Sequence, residues 1–220
     1  MFERRQFGLS RRRVIFFIGG YRTRIGTYLP AYWMMRLLGY RVYAYVLDSQ
    51  TVVSSNIMAY VGQIEAVQRD IAATLATLPK DIPSYTMGNS LGSESALYAL
   101  KHTPQLRAAA LVTARGSIAR FIWKSPAGKS FKPAYTKNGY DFTQLSQELS
   151  PVEPLKDMGL LDGRPVYLIY SQKDTVIPPT NTELLITASP GMKVYRYNVG
   201  NHTATTIKGI GAFWRWHCFF

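Results

Sequence analysis

Short apolar runs, each closed by a turn and followed by a segment with apolar residues at helical spacing, recur along the chain. This alternation limits the possible folds more than any other feature. Val14 to Ile18 is an apolar run stopped by Gly19-Gly20, and Tyr28 to Leu38 then carries a helical period up to Gly39. "YRVYAYVLD" follows, rich in β-branched and aromatic residues, and a longer helical segment runs from about Asn56 to Leu78, before Pro79. Residues 84–88 read as a third strand, Leu91 to Leu100 as a helix, and "LRAAALVTA" as a fourth strand ending near Ala114. After an aperiodic stretch the alternation resumes at Leu155. A short helical stretch, the strand "PVYLIY", a helix from about Thr180 to Ala188, the strand "KVYRYNV" and a final helix from about Ala204 complete it. Strands alternating with helices imply right-handed crossovers and a mainly parallel sheet of about six strands, covered by helices on both faces. In such sheets sites form at the carboxyl ends of strands, so a functional residue is expected just after one.

Residues 115–150 break this rhythm. They mix glycine, proline, lysine and aromatics without a clear period and read as a loop-rich insertion of the kind compact domains keep for a function. Otherwise the 220 residues, 47% of them apolar and 18% charged, suit one folded domain over 1–220. The apolar runs are far short of the roughly 18 residues needed to cross a bilayer, and the first one, ending in a glycine pair, reads as a strand rather than a targeting segment. With Cys218 as the only cysteine no internal disulfide can form, which points to a cytoplasmic protein. The formal net charge of +13 attracts anions of any kind without choosing among nucleic acid, anionic lipid and acidic substrates.

The segment "SYTMGNSLGSESALYALKH" carries the chemistry. Gly88-Asn89-Ser90-Leu91-Gly92 is a GxSxG pattern, for which chance alone gives about 0.1 matches in a chain of this composition, so its context decides. Ser90 falls between a strand and a helix, and glycines two residues to either side remove Cβ atoms that would clash in so tight a reversal. The helix starting at Leu91 turns its free N–H groups toward developing negative charge. A serine hydroxyl needs a base, and three histidines are present. His102 lies 12 residues along the helix from Ser90, about 18 Å away at the helical rise. His217 sits among Trp214, Trp216 and Phe219 and reads as a packing or surface residue. His202 follows the last strand within a "GNH" loop, where the carboxyl-end rule wants it. A histidine base needs a carboxylate to orient it. Asp174, in "SQKDTVIPP", follows a strand, whereas Asp141, Asp157 and Asp162 do not; alone it would read as a turn residue or helix cap.

The order Ser90, Asp174, His202, with the elbow "GNSLGS", the acid loop and the "GNH" loop, resembles the α/β-hydrolase superfamily, of the serine esterase and lipase type, from Val14 onward. The resemblance implies a compact version of that fold, with the two extra N-terminal strands of fuller members missing and 115–150 forming a cap or lid over the site. It also implies an oxyanion hole built from the backbone N–H of Leu91 and a second N–H after the first strand, from Tyr21 or Gly20. Gly19-Gly20 stands where many relatives carry His-Gly. The activity implied is hydrolysis of carboxylic esters through a Ser-His-Asp triad and an acyl-enzyme, with no metal and no organic cofactor. Acyl transfer or peptide cleavage on the same triad stays open, as does a noncatalytic basic module for anionic lipid or nucleic acid. The partner expected is a small-molecule ester, with an anionic surface or lipid interface as a second contact rather than nucleic acid. Lys101 to Tyr140 holds eight lysines and arginines and no acid, interleaved from Arg115 onward with Phe121, Trp123, Phe131, Tyr135 and Tyr140. This composition suits an interface that is apolar at one level and anionic at the next.

Overall fold

The computed structural model describes residues 2–10, 12–53, 56–198 and 200–212. Seven strands form one sheet: β1 (Phe2–Phe7), β2 (Arg13–Ile18), β3 (Tyr40–Leu47), β4 (Ser84–Asn89), β5 (Leu106–Val112), β6 (Val166–Ser171) and β7 (Lys193–Tyr197). Their spatial order is β1-β3-β2-β4-β5-β6-β7. All neighbours are parallel except β1, which lies antiparallel on β3 with Phe2 opposite Leu47 and Phe7 opposite Val42. The helices are α1 (Leu29–Leu37), α2 (Gln50–Val53), α3 (Ile57–Ala76), α4 (Leu91–His102), α5 (Ile118–Lys124), α6 (Lys132–Lys137), α7 (Phe142–Leu149), α8 (Pro179–Ala188) and α9 (His202–Gly211).

The period of two along β2 shows why helices must cover both faces. Val14, Phe16 and Ile18 point into one core, with α3, α4, α5, α7 and α8, while Ile15 and Phe17 point into the other, with α1 and α9. All five are completely buried, and each contributes about 1.5–3 kcal/mol by leaving water. Such a doubly buried strand reads as an unbroken apolar run.

Three expectations need correction. The sheet has one strand more than the six expected, because residues 2–7 form an edge strand. "FERRQF" has four polar residues between two phenylalanines, and only the pairing with β3 makes it a strand. Residues 115–150 are not loop-rich: α5, α6 and α7 occupy most of the segment. Each helix has only six to eight residues, and Pro126, Pro133 and Gly139 punctuate them, so no period builds up. The last helix starts at His202 rather than Ala204, capped by Asn201, whose side chain accepts a hydrogen bond from Ala204 N–H at 2.8 Å. His217, with its aromatic neighbours and Cys218, lies outside the described residues.

Candidate active site

β4 ends in a turn that α4 continues, and Ser90 is the hinge residue, with φ 52° and ψ −118°. A side chain at positive φ is strained, and the surroundings hold it there. Ser90 N–H donates to Val112 O at 2.8 Å, and the Ser93 hydroxyl binds Gly88 O and Val112 O at 2.9 and 3.0 Å. A Cβ at Gly88 would run into the backbone of Gly92 and Ser93, and one at Gly92 into the carbonyls of Ile18 and Gly19. Only glycine fits at both positions. The turn leaves Ser90 partly exposed above the carboxyl end of the sheet.

Asp174 follows β6 and His202 opens α9 after β7, so three separate strands deliver the three side chains to one end of the sheet. His202 Nε2 lies 3.2 Å from Ser90 Oγ, and its Nδ1 lies 2.8 Å from Asp174 Oδ2. The second oxygen, Oδ1, accepts from the N–H groups of Val176 and Ile177 at 2.8 and 2.9 Å. The carboxylate is thus fixed by its own loop, with a side chain only 2% exposed. An acceptor-only carboxylate at Nδ1 selects the tautomer in which Nδ1 donates and Nε2 accepts from the serine hydroxyl. This arrangement can take a proton from Ser90 Oγ and return it to a departing group.

Leu91 is the first residue of α4, and its N–H, like that of Tyr21, makes no hydrogen bond among the described residues. Gly20 differs: its N–H donates to the Tyr28 hydroxyl at 3.4 Å. His102 ends α4, with its ring 4.2 Å from that of Tyr98, and burial with Lys101 nearby lowers its pKa. The structure therefore brings together Ser90, Asp174, His202, Leu91, Tyr21 and Gly20, and leaves His102 aside.

Two cavities meet at Ser90. The larger, about 770 Å³, lies between α1 and α9, and its apolar lining includes Ala31, Met34, Val176, Ile207 and Ile210. The smaller, about 310 Å³, lies toward the 115–150 segment and is lined by Phe121, Pro126, Phe131 and Ile177 with Arg115. Sequence reasoning missed the polar groups of both walls. Asn89 donates to the Tyr28 hydroxyl at 2.9 Å and accepts from Thr206 at 3.1 Å, linking β4 to the turn before α1 and to α9. Arg115, read as a cap surface cation, is buried: its Nε donates to Glu94, which also accepts from the Tyr60 hydroxyl. Burial pushes the Glu94 carboxyl up, with Arg115 and Tyr60 pulling against it, while for Arg115 the attraction of Glu94 overrides burial and raises its pKa. Positions 60, 94 and 115 share no local pattern, so nothing in the sequence joins them. Among the described residues, no group of three His, Cys, Asp or Glu side chains could hold a metal, and no helix is long and apolar enough to cross a membrane.

No family model and no curated protein matches the sequence. Solved structures do match the fold. An acylaminoacyl peptidase from Pyrococcus horikoshii superposes with a TM-score of 0.74 at 15% identity, over 98% of this chain and 41% of that one. The chain thus spans about two fifths of that peptidase. An α/β hydrolase enzyme from the metagenome of lagoon sediments of Mar Chica, Morocco, gives 0.66 at 17% identity, covering 100% of this chain and 94% of that one. The α/β hydrolase domain-containing protein 10 from mouse gives 0.63 at 18%, over 96% and 90% of the two chains. With the strand order, the single antiparallel edge strand and the elbow at Ser90, these likenesses identify the chain as an α/β-hydrolase-fold protein.

Proposed function

We propose that the chain is a serine hydrolase of carboxylic esters. The observation that carries the proposal is the chain of contacts from Ser90 Oγ through the His202 ring to Asp174, fixed by elements from three strands. Ser90 Oγ attacks the acyl carbon as its proton passes to His202 Nε2, and Asp174 holds the resulting imidazolium. The N–H groups of Leu91 and Tyr21 receive the oxyanion; they are better candidates than Gly20, whose N–H is drawn to Tyr28. The tetrahedral species collapses, and the alcohol leaves with the proton from His202. A water then attacks the acyl-enzyme, giving its proton to His202, and the acid departs as Ser90 regains it. The apolar cavity beside α1 takes the hydrocarbon part of the substrate. Helices α5–α7 serve as the cap over the smaller cavity.

The likeness to an acylaminoacyl peptidase keeps amide cleavage on the same residues as the second reading. A panel of p-nitrophenyl esters beside matching p-nitroanilides separates the two. Ester turnover should dominate, Ser90→Ala should lower it by roughly four orders of magnitude or more, and a fluorophosphonate should label only the wild type. Because the Ser90 hydroxyl is partly exposed and bonds only to His202, the variant should keep its fold and unfold at about the same temperature. Equal labelling of both proteins would remove Ser90 from the mechanism.

A further inference from the structure

Seven large apolar side chains are exposed among the described residues, and five of them cluster on one side of the sheet. Leu29, Trp33 and Leu37, at 38%, 53% and 86% exposure, are spaced i, i+4, i+8 and form a stripe along the outer face of α1. Leu9, 82% exposed, sits in the β1–β2 connection, where Gly8 backs onto the side chain of Arg36. Ile207, 66% exposed, stands on α9 and lines the 770 Å³ cavity together with Ala31 and Met34 of α1. The inner face of α1 is satisfied, since Ala31, Tyr32 and Met35 are buried against the sheet. Its outer stripe therefore does no work in the fold.

The charge around this stripe has one sign. Between Glu3 and Asp48 the sequence has nine arginines and no acid. Arg36 lies over the Trp33 ring at 4.3 Å, and Arg12 and Arg13 line a cleft of about 290 Å³ with Leu37, Leu38 and Gly39 at the end of α1. Arg22 and Arg24 are exposed at the other end, before the helix begins. The acids that bound this span in the sequence are Glu3, with Arg5 two residues along the same strand, and Asp48, just after β3 and beside Ser49, whose hydroxyl accepts from Arg22 N–H. An indole and leucines level with a row of guanidinium groups match the acyl boundary of a bilayer beneath its phosphates. A second copy of the chain suits this face poorly, because arginines would face arginines across a two-fold axis.

We propose that the outer face of α1, with Leu9, Arg12, Arg13 and Arg36, docks the protein on an anionic phospholipid surface. The mouth of the larger cavity, between α1 and α9, then opens beside the lipid. Docking does not depend on the role proposed for Ser90, and its test reads binding alone. Residues 115–150 are a weaker candidate for this contact. None of the seven exposed apolar side chains lies there, and Arg115 is buried.

Co-sedimentation with phosphatidylcholine vesicles, with and without phosphatidylglycerol, tests the proposal. The intact protein should bind the anionic vesicles and leave the neutral ones in the supernatant. Binding should fall as salt rises from about 50 to about 500 mM and the screening length drops well below about 10 Å. Replacing Arg12, Arg13 and Arg36 together by glutamine should weaken binding on the order of a hundredfold at low salt, and Trp33→Ser with Leu37→Ser on the order of tenfold or more. Lys124→Gln, Lys129→Gln and Lys137→Gln, which remove the same charge from the opposite wall, should change binding little. All of these side chains except the half-buried Arg13 are exposed, so near-UV circular dichroism should be unchanged. No binding to anionic vesicles at low salt overturns the proposal. So does equal weakening by the lysine set, or a dimer in light scattering that the Trp33/Leu37 variant dissolves.

Discussion

The two walls that enclose Ser90 differ in how they are tied down: aromatic packing with neutral hydrogen bonds through Asn89 on one side, buried charge on the other. On the α1–α9 side, Phe17 packs on Tyr28 and Tyr32 with ring centroids 4.9 and 5.3 Å apart, and Phe7 packs on Tyr32 at 4.9 Å. On the α5–α7 side, buried charge ties the segment down. Arg115 holds Glu94 and Tyr60, and the Glu153 carboxylate accepts from Ser117 Oγ and from the N–H groups of Ile118 and Ala119 at the start of α5. Lys101 Nζ reaches the carbonyls of Pro154 and Lys156 at 3.3 and 2.7 Å, where the segment rejoins the fold. Apolar packing is non-directional and tolerates shape-conserving change. Buried ionic groups accept few arrangements, and each is costly to leave unpaired. The α5–α7 wall is thus the more exactly specified and the more easily broken, while the α1–α9 wall can be reshaped around a substrate.

The sharpest way to break this contrast is to remove one member of the ion pair. Arg115→Met leaves Glu94 buried without its cation and should cost about 3–5 kcal/mol, read as a lower midpoint in urea unfolding. Glu94→Gln should cost a similar amount, and the double variant less than the sum, because the partners are coupled. Ile210→Val, on the apolar wall, should cost only about 0.5–1.5 kcal/mol. If Arg115→Met costs no more than Ile210→Val, charge does not hold the cap helices.

The second measurement uses pH. Burial brings the Lys101 ammonium down to about 8, with Asp157 and Glu153 pulling the other way. The unfolded chain keeps an ordinary lysine, near 10.4, so between about pH 8 and 10 it binds more protons than the fold does. Stability from this group therefore rises with pH in that window, with a slope of at most about 1.4 kcal/mol per unit. Above about pH 10 the buried tyrosines work in the other direction, since burial raises Tyr28, Tyr45 and Tyr60 and favours their neutral forms in the fold. Urea unfolding at about pH 7.5 and 9.5 should show Lys101→Met losing about 1–2 kcal/mol of this rise relative to wild type. Parallel pH profiles for the two proteins would mean that Lys101 titrates normally.

The sequence made the sheet legible through one device. β2 and β6, buried on both faces, are almost unbroken apolar runs, and β4 and β7 are legible by their place in the alternation, so that the loops after β4, β6 and β7 place Ser90, Asp174 and His202 at one end. Outside that alternation the reading failed. β1 is polar because an edge strand needs only backbone pairing, and α5, α6 and α7 are shorter than the window in which a period of 3.6 shows. Tertiary polar contacts left no trace either. Glu94 meets Arg115 across 21 positions and Tyr60 across 34. The contrast between Gly20 and Tyr21 turns on a hydroxyl eight residues downstream.

The smallest expected effect sharpens the comparison from the aromatic side. Tyr32 is completely buried against Phe7 and Phe17, and its hydroxyl finds no hydrogen-bond partner among the described residues. Burial raises its pKa, so the group stays a neutral, unsatisfied phenol. An unpaired buried hydroxyl carries a desolvation cost that no bond offsets. Tyr32→Phe keeps the ring and every aromatic contact and removes only that oxygen. It should be neutral or stabilising, by up to about 1 kcal/mol, which is a few degrees in Tm for a chain of this size. Ester turnover should be unchanged, because Tyr32 does not line the cavity. A loss of about 1 kcal/mol or more would mean that the hydroxyl has a partner, such as an enclosed water, and that polar contacts hold the α1–α9 wall beyond those of Asn89.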